Sequence, residues 1–114
     1  MESFREFEAG PDPFGQKWRV LLKWMQTGIS LRGADTVDAK FILKSNGDRT
    51  EKVIAMRHAD LLALSEKTGQ PLTDPWCTRL AARHLCHMIE TGEDMDKELV
   101  TVLPDELAAC DRQK

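Results

Sequence analysis

The dipeptide Asn46-Gly47 constrains this chain more than any other feature. Both residues tolerate positive φ, the backbone that the two central positions of a type I′ turn require, and that turn twists as paired strands do. Ahead of it, Ala39, Phe41 and Leu43 alternate with Asp38, Lys40, Ile42 and Lys44. This is the two-residue period of a half-buried strand. Behind it, Thr50–Met56 reads as the return strand, with Val53 and Ala55 on one face. A β-hairpin therefore sits near the middle of the sequence.

Helical signals flank it. Phe14, Trp18, Leu21, Leu22 and Met25 gather on one side at about 100° per residue, which predicts an amphipathic helix capped at Gly28. Val20 and Trp24 fall off that stripe, so Trp24 is a candidate contact residue. A linker containing Gly33 leads to the hairpin. After it, Leu61, Leu62 and Leu64 run to Thr68-Gly69, a short helix with a glycine C-cap. Thr73 or Asp74 followed by Pro75 is start chemistry for a longer helix ending at Thr91-Gly92, with Cys77, Ala81, Leu85, Met88 and Ile89 as its apolar face. Leu99–Leu103 is β-branched and stopped by Pro104, a closing strand.

The expected architecture is a small α+β domain: an N-terminal helix, a β-hairpin, two helices and a closing strand, with the helices on one face of a three-stranded antiparallel sheet. Residues 1–12 are expected to form a flexible acidic leader, 13–103 the domain, and 104–114 an acidic polar tail.

Charge follows these divisions. The leader through Pro13 sets Arg5 against Glu2, Glu6, Glu8 and Asp12, and residues 92–114 hold three cations against seven acids. The stretch between carries a net charge of +4 within a chain of net −3. A mildly basic body thus lies between two acidic ends, which are either solvated tails or an acidic screen over a basic face until a partner competes, and the body falls short of the strongly basic patch that favours nucleic acid. No apolar run approaches the roughly 18 residues of a spanning helix, and the opening MESFREFEAGPDPFG reads without an export signal. The odd count of three cysteines, Cys77, Cys86 and Cys110, fits reduced thiols in a cytoplasm rather than a disulfide framework.

The longer helix carries the candidate chemistry. Arg79, Arg83 and His87 recur at i, i+4 and i+8, with Trp76 beside them, a row that could meet phosphate or an acidic protein. The same row, on the second of two consecutive helices, resembles the placing of contacts on a recognition helix. The Thr68–Asp74 connection, however, is longer than the usual turn of that motif. Metal binding by Cys77, His84, Cys86 and His87 is disfavoured, because Cys77 and His84 stand seven residues, about 10 Å, apart along the axis. No nucleophile elbow, phosphate loop or acidic metal motif frames the histidines or cysteines, so no catalytic residue, metal or cofactor is expected. The expected function is a non-enzymatic protein-binding or adaptor module, with self-association as one form of it. A nucleic-acid-binding regulator using Arg79, Arg83 and His87 is the alternative. The candidate binding residues are Arg79, Arg83, His87, Trp76 and Trp24.

Overall fold

The structure is a computed structural model that describes residues 5–29 and 35–112. Five strands and three helices follow in the order β1 (Glu6–Ala9), β2 (Trp18–Ile29), β3 (Asp35–Ser45), β4 (Asp48–Arg57), α1 (His58–Thr68), α2 (Asp74–Thr91), β5 (Leu99–Val102) and α3 (Pro104–Arg112). The strands form one sheet in sequence order; β1 to β4 are antiparallel, and β5 lies parallel to β4. A parallel neighbour needs a crossover connection, and α1 with α2 supplies it. The fold is thus α+β, with a mixed sheet of five strands rather than an antiparallel sheet of three. No described helix is long and apolar enough to cross a membrane.

The hairpin forms as its sequence predicts. Asn46 and Gly47 adopt φ of 49° and 87°, and Ser45 pairs with Asp48. Both following helices also end where their glycines indicate, with Gly69 and Gly92 in the left-handed region. Thr73 caps α2 by accepting the Trp76 amide proton.

The N-terminal helix does not form; its residues make β2 instead. The helix-like spacing comes from a bulge at Lys23, where the register with β3 jumps from Leu22↔Phe41 to Trp24↔Lys40. One extra residue turns a period of two into three at that point. Trp18, Leu22 and Met25 therefore all reach the core side of a strand at a spacing that imitates a helix. Gly28, expected as a helix cap, lies within β2, and Phe14 is 94% exposed in the β1–β2 connection. There the Asp12 carboxylate accepts from the Phe14 and Gln16 amides and from Trp18 Nε1.

The expected leader and tail are also corrected. Glu6–Ala9 pairs with β2 and buries Phe7 and Ala9, with the Phe7 ring edge-on to Phe41 at 6.3 Å. Residues 104–112 form α3, which buries Leu107 and Cys110 against α1 and α2. Glu106 accepts from the Leu103 amide at 3.0 Å and caps its start. Residues 1–4, the Gly33 linker within 30–34, and 113–114 lie outside the described residues.

The core sits between one face of the sheet and the helices. Val20, Phe41, Leu43, Ile54 and Met56 from the strands meet Leu61, Leu80, Leu85, Met88 and Ile89, all essentially inaccessible. Each such side chain contributes about 1.5–3 kcal/mol by leaving water. Lys52 shares this inner face, opposite Phe41, and is only 3% exposed. Its ammonium donates to the carbonyls of Met95 and Lys97, at 2.5 and 2.6 Å, which ties the α2–β5 connection to the sheet. Burial lowers its pKa from the ordinary lysine value.

Candidate functional site

The sheet's second face carries none of the helices, and its residues follow from strand alternation and register. Four successive rows, counted from the β3–β4 turn, cross it, the fourth being Gln26, Asp38, Ala55 and Thr101, with Ala55 buried. Glu8, Arg19, Lys44 and Arg49 are paired neighbours in the first; Glu6, Leu21, Ile42 and Glu51 in the second; Trp24, Lys40, Val53 and Leu99 in the third. Leu21, Trp24, Ile42 and Val53 are partly exposed, and Leu99 is 57% exposed. A strand facing water on one side normally presents polar residues there. Four strands here instead put an aliphatic or aromatic group into a common strip.

Charges surround the strip unevenly. Glu51 sits among three cations, with Arg49 Nη2 at 2.8 Å, Lys40 Nζ at 2.9 Å and Lys23 Nζ at 3.7 Å. The Lys40 hydrogen bond, chiefly, with the Lys23, Lys40 and Arg49 charges, holds its carboxyl below the usual glutamate range. Lys40 Nζ also stands 5.9 Å from the centroid of the Trp24 ring, within cation–π reach. Beside this cluster a cavity of 390 Å³ opens, bounded by Lys40, Arg49, Thr50, Glu51, Val53 and Glu98. At the β1 end the charges balance, since Glu6 bonds Arg19 at 2.7 Å and Glu8 lies 3.7 Å from Lys17. Lys44, exposed between Arg19 and Arg49, has no acidic partner among the described residues.

The candidate row on α2 has a different setting, because α3 covers it. Trp76 is buried, and its Nε1 donates to Asp111 Oδ1 at 3.2 Å. Arg79 Nη2 reaches the same oxygen at 3.5 Å, and Arg83 Nη1 donates to the Cys110 carbonyl at 2.8 Å. Burial, with the neighbouring Arg79 charge, lowers the Arg83 pKa. His87 stays on the surface, its Nε2 3.4 Å from Glu93. The structure brings Trp76, Arg79 and Arg83 together around the end of α3 and sets Trp24 apart from them, on the open sheet face.

Between α2 and α3 lies a cavity of 80 Å³ bordered by His84, His87, Glu106, Ala109 and Cys110. His84 is 2% exposed, its Nε2 has no hydrogen-bond partner among the described residues, and burial lowers its pKa. Burial also pushes the Cys110 thiol up to about 11, and Cys77 likewise. Protonated thiols are weak nucleophiles, so this is not the arrangement of an activated Cys–His pair. Among the described residues, no three His, Cys, Asp or Glu side chains are grouped to hold a metal ion.

Sequence reasoning selected Trp24 but missed Leu21, Ile42, Lys44, Arg49 and Glu51 around it. The alternation of Lys40, Ile42 and Lys44 was the available signal. It gains meaning only once β2 is recognised as their neighbour. No family model, curated protein or solved structure matches the chain.

Proposed function

We propose that the protein is a non-enzymatic binding or adaptor domain that engages a protein partner through the open sheet face around Trp24, Leu21 and Ile42. The supporting observation is the set of partly exposed apolar side chains, interleaved with cations, on a face without the described helices. Exposed apolar groups gathered on one face mark interaction surfaces, and Trp and Arg are residue types enriched in binding hot spots. The odd count of three cysteines suits reduced thiols, so we place that partner in a cytoplasm. Nucleic-acid binding through Arg79, Arg83 and His87 has less support, because Arg79 and Arg83 are engaged by α3.

The test is affinity capture from native extract with three full-length baits: wild type, Leu21→Ser with Ile42→Ser, and Arg79→Ala with Arg83→Ala. A protein held by the first and third baits and lost from the second supports the proposal. A protein held equally by the first two overturns it. Nucleic acid lost only from the third bait establishes the alternative instead.

A further inference from the structure

We infer that the partner segment seated on the open face is acidic and apolar, carrying carboxylates beside aliphatic side chains. This rests on the binding role proposed above and adds the chemistry of the partner. Between β2 and β4 the face sets Lys23, Lys40, Lys44 and Arg49 against Glu51 and Asp38, with Arg19 paired to Glu6 of β1. Arg19, Lys44 and Arg49 stand side by side in one row, and like charges directly opposite one another cost a few tenths of a kcal/mol or more. Glu6 answers Arg19 and Glu51 answers Arg49, leaving Lys44 for an outside anion. The adjacent row supplies Leu21 and Ile42, which an aliphatic side chain would cover.

Other occupants fit less well. A second copy in face-to-face contact would bring like charge onto like charge between β2 and β4, where Lys23, Lys40, Lys44 and Arg49 exceed Glu51 and Asp38 once the pairs of Glu6 with Arg19 and Glu8 with Lys17 are set aside. Single-stranded nucleic acid is held by series of stacking aromatics, and the described residues of this face offer one, Trp24. Complementary potential against an acidic segment would also quicken encounter and make it sensitive to salt.

The experiment uses the full chain labelled with ¹⁵N and three probes: a 16-residue peptide of Glu and Leu, its Lys and Leu counterpart, and a dT15 oligonucleotide. The expected result is that the acidic peptide shifts amides of 19–24, 42–44 and 49–51. Its affinity should fall at least tenfold in Lys44→Glu with Arg49→Glu, both exposed positions whose thermal midpoint serves as the folding control. No binding of the acidic peptide, shifts confined to α2 and α3, or unchanged affinity in the double variant overturns the inference. So does equal binding of the basic peptide, or dT15 competing for the same amides. The natural partner separates the two levels. Capture that needs Leu21 and Ile42 but survives the charge reversal defeats the acidic partner alone, whereas capture indifferent to both variants defeats the binding face as well.

Discussion

Ile42 and Leu43 are neighbours on β3 whose side chains point to opposite sides of the sheet. Truncating each to alanine therefore compares a half-covered layer with a covered one in the same strand. Leu43 is fully buried beneath the helices. Leu43→Ala loses the transfer energy of its removed carbons and leaves a cavity, together about 3 kcal/mol. Ile42 has cross-strand neighbours, Leu21 and Glu51, but no helix above it. Its truncation loses part of the transfer term and some strand preference with little cavity, about 1 kcal/mol. Urea unfolding resolves the difference. With a slope of about 1.5 kcal/mol per molar for a domain of this size, the midpoint should drop by about 2 M for Leu43→Ala and by less than about 1 M for Ile42→Ala. Equal shifts would refute the reasoning, because they would mean that the second face is packed as tightly as the first.

Other outcomes follow from the same geometry. Deleting Lys23 joins Leu22↔Phe41 directly to Trp24↔Lys40, restoring regular alternation; the variant should keep native circular dichroism and lose no more than about 1–2 kcal/mol, whereas a helix there would be scrambled by the deletion. His84 is buried with a lowered pKa, so the unfolded chain takes up its proton first as pH falls through about 6.5. Its contribution is therefore complete above that pH and lost below it. Relative to wild type, His84→Leu should gain stability between pH 7 and 5, and a flat difference curve would contradict a buried neutral imidazole. Iodoacetamide at pH 8, followed by mass spectrometry, should label partly exposed Cys86 well before Cys77 and Cys110, whose thiols are pushed up to about 11; equal native rates would contradict their burial.

The parts of the fold that were legible in the sequence are those set by local chemistry. Asn46-Gly47 specifies a turn by its φ requirements, and Thr73, Pro75 and Gly92 mark α2 by capping and termination. The parts that were hidden depend on partners distant in sequence. β1 offers only Phe7 and Ala9 as an alternating pair, and it becomes a strand by pairing with Val20 and Trp18. β2 was disguised by one bulged residue. For α3 the signals were present, Pro104 at its first position with Asp105 and Glu106 in its first turn. Proline after a strand reads equally as a stop, and what favours the helix is the place for Leu107 and Cys110 against α1 and α2.

The candidate site divides in the same way. Arg79, Arg83 and Trp76 were correctly placed on one stretch of α2, but their surroundings depend on Asp111 and Cys110, roughly thirty residues on. Trp24 was singled out as lying off a helical stripe, yet it stands on a sheet face. Its neighbours Lys40, Val53 and Leu99 come from three other strands. Local periodicity could identify an unusual residue; only the register supplies its company.

The most direct measurement is hydroxyl-radical footprinting of the full chain, free and in complex with the protein captured from native extract. Trp24, Leu21, Ile42 and Leu99 should be oxidised in the free protein and protected in the complex, with Trp76 and His87 unchanged between the two. Protection along α2 and α3, with the sheet-face residues oxidised equally in both states, would contradict the account.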